Sequence, residues 1–266
     1  MKKLLAFMLF CSFFAILMGM SVYAKSNVAI DTDNTKNGIV TIKMVDIDLK
    51  KKIYKVRVEK GSDKYDYTLI LPSTNLPLQM GTGEYKVTVM ENVSGNSYKP
   101  LESKTFQVTS IDEAEMYKAS IPMIEYSVAE NAVPAFRKLT EDKKTVNDII
   151  SILYDTIARN YSYDTAKAMN PPAGYVPVVD EIYASKKGIC YDYSSLLGSA
   201  LRSQGIPTRL VMGYAAGLDE YHAWNEILID GKWVAVDATY DAQVIKAGKK
   251  YTMAKDKDKR QVVKIY

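Results

Sequence analysis

Histidine and cysteine are almost absent from this sequence. Among 266 residues there is one histidine, His222, and there are two cysteines, Cys11 and Cys190. Cys11 lies in a hydrophobic N-terminal segment that we expect to be removed, so the mature chain would keep one thiol and could form no internal disulfide. One cysteine and one histidine cannot supply the usual three or four zinc ligands without two carboxylates. We therefore predict neither a metal ion nor a cofactor.

A large excess of charge of one sign is also missing. Lys and Arg total 35, Asp and Glu total 31, and the formal net charge is +4. Two of the positive charges, Lys2 and Lys3, belong to the N-terminal segment. No basic stripe with interleaved aromatic residues is found, so we predict no nucleic-acid partner. The apolar content of 47% and the charged content of 25% are typical of a globular protein.

The first 24 residues have the pattern of a secretory signal. Lys2 and Lys3 precede an apolar run from residue 4 to 20, and residues 22–24 (VYA) suit signal cleavage. We therefore predict a signal peptide over residues 1–24 and a secreted or cell-surface protein. The alternative is an uncleaved anchor, and only then would the protein contact the membrane. No later stretch is long and apolar enough to span one.

Residues 28–109 are typical of an all-β region. Five segments are rich in Val, Ile, Tyr and Thr and alternate apolar with polar residues: GIVTIKMVDI, KIYKVRVEK, YDYTLIL, GEYKVTVMEN and SKTFQVT. We predict an immunoglobulin-like β-sandwich domain over residues 25–109. Such a domain would act in spacing, attachment or substrate presentation, or it would be a purely structural appendage.

The character of the sequence changes at Ser110. The four residues that begin there, SIDE, match a capping box, and Thr145 is a second candidate N-cap. Apolar residues at helical spacing follow Thr145 and predict a helix to about Asn160. We predict a single α+β domain over residues 110–266. The lysine-rich segment after Asp241 is expected to be solvated or wall-proximal surface, with QVVKIY as a final edge strand.

Cys190 lies at the start of a predicted helix. Apolar and aromatic residues follow it at helical spacing: Tyr193, Leu196, Leu197, Ala200 and Leu201. Gly205 and Pro207 fit the end of that helix, and Gly188 suits a place where the backbone runs close to another group. Free N–H groups and the helix dipole favour a thiolate at a helix start. The same N–H groups could hold a developing oxyanion.

His222 and Asp237 lie on two predicted strands, HAWNEILI and KWVAVDA, joined by an Asp-Gly turn. Closing the hairpin at that turn pairs Trp224 with Asp237. His222 then lies opposite Thr239, and its side chain lies on the same face of the hairpin as those of Trp224 and Asp237. His222 and Asp237 become diagonal neighbours, roughly 7–8 Å apart at the backbone. The carboxylate could orient the imidazole and stabilise its charged form.

Three stretches resemble the transglutaminase-like superfamily: GICYDYSSLLGSALRSQGIPTRLVMGY, HAWNEILIDGKW and VDATYD. They occur in the order and at the spacing of that family's motifs, within about residues 140–241. The resemblance implies a papain-like α+β fold for the domain over residues 110–266. It also assigns the roles of the family's catalytic Cys, His and Asp to Cys190, His222 and Asp237.

Aromatic residues supply further candidates. Members of this family often use an aromatic side chain upstream of the cysteine as a second oxyanion donor, and Tyr161 or Tyr163 is our substitute for it. Trp224 and Trp233 are expected to shield the site or to pack under the hairpin. Taken singly, each candidate residue also suits a structural role, and the combination of Cys, His and Asp favours catalysis.

The expected function is that of an exported thiol enzyme. Cys190 would attack an amide of a protein or peptide substrate and form a thioester, which water or an amine would resolve. Resolution by water gives a protease or amidase, and resolution by an amine gives a cross-linking transglutaminase. We favour hydrolysis, because nothing in the sequence marks a lysine-accepting site. The alternative from another class is a non-catalytic surface binding protein on the same scaffold.

Overall fold

The computed structural model of the protein describes residues 27–266. The signal peptide predicted over residues 1–24 lies outside these residues. Within residues 27–266, no helix combines the length and the apolar character that crossing a membrane requires.

Strands make up the first part of the described chain. They are β1 (Val28–Asp31), β2 (Ile39–Met44), β3 (Tyr54–Lys60), β4 (Asp63–Thr68), β5 (Ser73–Pro77), β6 (Gly83–Ser94) and β7 (Ser97–Val108). They form two antiparallel sheets, in the strand orders β1-β2-β5 and β4-β3-β6-β7. The predicted strand-rich region is confirmed, and its immunoglobulin-like type stays a prediction.

The alternating sequence explains why these strands share one core. In β3, Tyr54, Val56 and Val58 are buried, and the residues between them are partly exposed. A period of two directs such residues to one face of a strand. Val56 of one sheet and Ile42 of the other belong to the same hydrophobic cluster. The two sheets therefore bury their apolar faces together.

Helices and a second group of strands make up the rest. The helices are α1 (Glu113–Met116), α2 (Ala132–Leu139), α3 (Val146–Asn160), α4 (Thr165–Met169), α5 (Val179–Ser185), α6 (Cys190–Arg202) and α7 (Ala238–Lys246). The strands are β8 (Ser162–Tyr163), β9 (Lys187–Gly188), β10 (Thr208–Ala215), β11 (His222–Ile229), β12 (Lys232–Val236), β13 (Ala254–Lys255) and β14 (Arg260–Ile265). Five of them form a sheet in the order β13-β12-β11-β10-β14, and α6 packs on β10 and β11. The predicted edge strand is confirmed as β14.

One of the two predicted helix caps is confirmed. The Thr145 hydroxyl accepts a hydrogen bond from the Asp148 N–H at 3.1 Å, and α3 begins at the next residue. The cap predicted at Ser110 is wrong, because α1 is capped by Asp112. The Asp112 N–H donates to the Lys36 carbonyl at 3.0 Å, which holds this segment against the strand-rich region. The first α-helix therefore begins only after Asp112.

A buried arginine fixes the end of the chain. The Arg202 guanidinium donates to the carbonyl oxygens of Thr208 at 2.7 Å and Ala119 at 2.8 Å. It also donates to the carbonyl oxygen of Tyr266 at 3.0 Å. The Tyr266 ring meets the Tyr65 ring edge-on, with centroids 5.4 Å apart. Strand β14 is thereby held between α6 and the strand-rich region.

Candidate active site

Cys190 is the first residue of α6, as the sequence predicts. The N–H groups of a first helical turn have no partner inside the helix. The preceding N–H, that of Ile189, donates to the Asp192 carboxylate at 2.8 Å. A Cβ on Gly188 would lie 2.5 Å from the Asp192 Cβ, so any larger residue would collide there. The predicted close approach of the backbone at Gly188 is confirmed.

Asp192 is a further residue of this site that was not predicted from the sequence. Its side chain is fully buried and accepts hydrogen bonds from the Lys167 ammonium at 2.7 Å and the Tyr175 hydroxyl at 2.5 Å. These contacts fasten the segment before α6 to the start of the helix. An acidic residue three positions after a helix cap is the available signal, but an Ile at the cap position conceals it.

The hairpin brings His222 and Asp237 together. Strands β11 and β12 pair in the predicted register near the turn, with Leu228 opposite Trp233. The His222 Nε2 atom lies 2.8 Å from the Asp237 Oδ2 atom. The Asp237 side chain is 1% exposed, so this contact lies in the protein interior.

The outer part of the predicted hairpin is wrong. Strand β12 ends at Val236, so Asp237 does not pair with Trp224 in the ladder. Thr239 lies in α7 rather than opposite His222. The side-chain contact between His222 and Asp237 forms even so, because Asp237 directly follows β12 of the hairpin and its carboxylate faces His222.

Asp237 acts as the N-cap of α7. Its Oδ1 atom accepts a hydrogen bond from the Tyr240 N–H at 3.0 Å, and its Oδ2 atom faces His222. The helix start therefore fixes the orientation of the carboxylate that contacts the imidazole. The motif VDATYD is compatible with both a strand end and a capped helix, which explains the incorrect expectation.

His222 joins Asp237 to Cys190. Burial opposes protonation of the imidazole, but the interactions of His222 with Asp237 and with Cys190 outweigh burial and raise the pKa of His222 to about 9. At neutral pH the ring is therefore protonated. Cys190 is a free cysteine of intermediate exposure. A protonated imidazole thus lies between a partly accessible thiol and a buried carboxylate.

Arg260 is a second partner of Asp237. Its Nη2 atom lies 3.1 Å from Asp237 Oδ2, and its guanidinium lies 4.9 Å from the centroid of the Trp224 ring. Trp224 in turn stacks on His222, with centroids 6.4 Å apart. Although burial opposes ionisation of Asp237, His222 and Arg260 hold the pKa of that carboxyl below its usual value. The sequence gives no signal for Arg260, because strand pairing brings it there from the lysine-rich segment.

The two candidate tyrosines lie in different places. Tyr163 pairs with Gly188 across the short parallel ladder of β8 and β9, which brings it close to Cys190. Burial raises the pKa of Tyr163, and the charges of Cys190 and Glu220 add to this effect. Tyr161 is buried instead, and its hydroxyl lies 2.9 Å from the Lys186 ammonium. Only Tyr163 of the two lines the cavity at Cys190.

A cavity of about 510 Å³ opens at Cys190 and His222. Its remaining lining residues are Tyr163, Gly217, Leu218, Asp219, Glu220, Tyr221, Thr239, Tyr240 and Gln243. The buried Thr239 hydroxyl has no hydrogen-bond partner within the described chain. Residues 27–266 contain no group of three or more His, Cys, Asp or Glu side chains that could hold a metal ion. The Cys190 thiol and the His222 imidazole thus face a cavity whose other lining residues are mainly polar or aromatic.

Comparisons with known proteins find relatives of part of this chain. Residues 135–238 match the family model of the transglutaminase-like superfamily. Uncharacterized protein YebA of Bacillus subtilis (strain 168) is 29% identical over 177 residues, covering 59% of this chain and 23% of YebA. A protein-glutamine gamma-glutamyltransferase of Pseudomonas aeruginosa is 25% identical over 142 residues, covering 47% of this chain and 21% of that protein. The kyphoscoliosis peptidase of Homo sapiens is 22% identical over 156 residues, covering 55% of this chain and 23% of the peptidase.

The chain spans less than a quarter of the length of each of these three relatives. The region matched by the family model contains Cys190, His222 and Asp237. The resemblance stated from the motifs is confirmed at the level of the family. Over residues 135–238, the chain therefore matches the transglutaminase-like superfamily.

Proposed function

We propose that the protein is an exported thiol enzyme that acts on amide bonds of protein or peptide substrates. Cys190 is its nucleophile, His222 its acid and base, and Asp237 the residue that orients His222. The observation that supports this proposal most strongly is the hydrogen bond between His222 and buried Asp237, beside a cavity that Cys190 and His222 both line. A nucleophile, a base and an orienting group are the three parts of a thiol triad.

In the first step, the Cys190 thiolate attacks the carbonyl carbon of the substrate amide. The imidazolium of His222 gives its proton to the departing nitrogen, the C–N bond breaks, and an amine or ammonia leaves. The acyl group remains on sulfur as a thioester, and His222 becomes neutral. The raised pKa of His222 supports this step, because it supplies a protonated ring beside the sulfur at neutral pH.

The oxyanion of the tetrahedral intermediate needs two donors near Cys190. The Cys190 N–H at the start of α6 is one candidate, since it has no partner within the helix. The Tyr163 hydroxyl is the second, and the pairing of Tyr163 with Gly188 supports its proximity. In the second step, neutral His222 removes a proton from water, the hydroxide attacks the thioester, and the carboxylic acid and Cys190 thiolate are released.

Replacing Cys190 tests this proposal. We expect Cys190→Ala to abolish amide cleavage, measured as release of a fluorogenic amine or of ammonia from glutaminyl peptides. Cys190→Ser is the closest matched control in size, and we expect at least a 100-fold loss there, because serine is a poorer nucleophile beside the same imidazole. Thermal unfolding of both variants verifies that the fold is retained. Turnover of Cys190→Ala at the wild-type rate would refute the assignment.

Transfer to an amine is the second candidate function. Asp219 and Glu220 line the cavity, and neither carboxylate has a hydrogen-bond or ion-pair partner within residues 27–266. Two unpaired carboxylates beside a thioester favour a cationic amine as acceptor. Incorporation of a dansylated diamine into casein, compared with peptide cleavage, separates transfer from hydrolysis. The double variant Asp219→Asn/Glu220→Gln should lower only amine incorporation, and Glu141→Gln/Asp142→Asn is the charge-matched control away from the cavity.

Export and the role of the strand-rich region belong to the same proposal. We infer that residues 1–24 are removed and that residues 25–109 form an immunoglobulin-like domain that spaces or presents the enzyme. The Tyr85 hydroxyl lies 2.8 Å from the Leu78 and Gly81 carbonyl oxygens, which is similar to the tyrosine corner of such domains. N-terminal sequencing of the released protein should begin at Lys25. An intact leader in the membrane fraction would instead identify an anchored protein.

A further inference from the structure

A second cavity, of about 440 Å³, adjoins the catalytic one. Leu218 and Tyr240 line both cavities and form the wall between them. Five cationic side chains line the second cavity: Lys249, Lys250, Lys255, Lys259 and Arg260. It has only two carboxylates, Asp241 and Asp256. The proposed acyl-transfer chemistry uses none of the lysines.

Internal ion pairs neutralise only part of this positive charge. The Lys255 ammonium contacts both carboxylate oxygens of Asp241, at 2.6 and 2.8 Å. Lys259 lies 3.8 Å from Asp256, at the limit of an ion pair. Lys249 and Lys250 have no side-chain partner within residues 27–266. Two ammonium groups thus remain free to bind an anion at this cavity.

Arg260 gives an independent indication of a ligand. Its side chain is 9% exposed, and its Nη2 atom contacts Asp237. Its Nη1 atom is buried and has no hydrogen-bond acceptor within the described chain. Buried donors are nearly always satisfied in folded proteins, and Arg260 lines the cavity, so a ligand there could accept from this N–H once the side chain shifts. An anionic oxygen meets that need through a charge-assisted hydrogen bond.

We propose that this cavity binds the carboxylate or phosphate group of a small organic anion. Lys249, Lys250 and Arg260 supply the positive charge. Ala215 and Val244 contribute apolar surface to the same lining, which suits the carbon skeleton of such a ligand. A volume of about 440 Å³ lies within the range of small-molecule sites. Binding is linked to the active site, because Arg260 contacts both Asp237 and the Trp224 ring.

The test measures binding rather than turnover. The Cys190→Ala protein is titrated with glycerol 1-phosphate and, separately, with glutarate at neutral pH and low salt. Tryptophan fluorescence and calorimetry report binding, since Arg260 lies against Trp224. We expect saturable binding of at least one of the two anions. The tighter ligand identifies the phosphate or the carboxylate as the group recognised.

Two double variants decide where the anion binds. Lys249→Gln/Lys250→Gln should weaken binding at least tenfold, because it removes both free ammonium groups. Lys232→Gln/Lys246→Gln changes the net charge equally at exposed residues outside the cavity and should bind normally. Absence of saturation with both anions, or equal weakening in the two double variants, would overturn the proposal. Since the protein lacks the Cys190 thiol, this outcome is separate from the fate of the proposed catalysis.

Discussion

Two buried carboxylates, Asp237 and Asp241, lie one helical turn apart at the start of α7. Their surroundings shift their pKa values in opposite directions. Asp237 contacts His222 and Arg260, and these cations lower the pKa of Asp237 in spite of its burial. Asp241 contacts Lys255 and the Tyr154 hydroxyl. There burial prevails over both partners, and the pKa of Asp241 is raised. Similar sequence positions thus give different electrostatic environments.

The difference lies in what each carboxylate holds in place. Asp237 holds the His222 imidazole at the edge of an open cavity. The negative charge of Asp237 therefore acts on the reacting groups through His222. Asp241 connects α7 to Tyr154 of α3 and to Lys255 of β13, which are elements of the folded core. We infer that Asp237 serves chemistry and that Asp241 serves stability. Substitution of each residue by Asn tests whether activity depends on Asp237 and stability depends on Asp241.

Asp237→Asn is expected to have the largest effect. An amide in place of the carboxylate removes the negative charge that favours protonated His222, and it leaves Arg260 without its ionic partner. We expect kcat/KM for amide cleavage to fall about 1,000-fold or more, as removal of an orienting carboxylate does in related mechanisms. The matched control is Asp241→Asn, measured per folded molecule. A loss below tenfold in Asp237→Asn would show that His222 does not depend on Asp237.

Asp241→Asn is expected to reduce stability instead. Loss of one member of a buried ion pair leaves the Lys255 ammonium without its counter-charge, which costs about 3 kcal/mol of unfolding free energy. Urea denaturation measures that cost. Activity per folded molecule should remain within about threefold of wild type. Adding Lys255→Gln should recover part of the stability, and a collapse of activity in well-folded protein would contradict the comparison.

The pH dependence of stability tests whether Asp237 stabilises the protonated form of His222. The pKa of His222 in the folded protein is about 9, above the ordinary value of 6.5. Protonation therefore stabilises the fold fully below pH 6.5, and this contribution is lost as pH rises through 9. We expect the wild type to lose about 2–3 kcal/mol relative to His222→Gln between pH 6 and pH 9.5. Parallel stability curves for the two proteins would show that the pair with Asp237 does not stabilise the charged ring.

Local signals in the sequence predicted a large part of this site. Apolar spacing after Cys190 predicts α6, the Asp-Gly turn predicts the hairpin of β11 and β12, and Thr145 predicts the start of α3. Each of these signals depends on residues that are close together in the chain, so it can be recognised from the sequence without knowledge of the fold. The meeting of His222 with Asp237 follows from the hairpin even though the outer ladder was expected incorrectly.

The parts that were missed depend on contacts between distant segments. Arg260 reaches Asp237 because β14 pairs with β10, and a lysine-rich segment gives no sign of that pairing. The Asp192 carboxylate accepts a hydrogen bond from Lys167, which lies 25 residues away in the chain. At the observed cap, Asp112, the backbone N–H donates to the carbonyl of Lys36 in the strand-rich region, which is distant in the chain. Long-range packing of this kind carries no periodic signal.

The most direct test of the central claim is the rate at which iodoacetamide labels Cys190 as a function of pH. The mature wild-type protein is compared with His222→Ala, and Asp241→Asn serves as the folded control. We predict fast labelling at neutral pH in the wild type and a loss of at least tenfold in His222→Ala alone. An ordinary thiol titration that is unchanged in His222→Ala would contradict the catalytic pair and favour a binding protein on this scaffold.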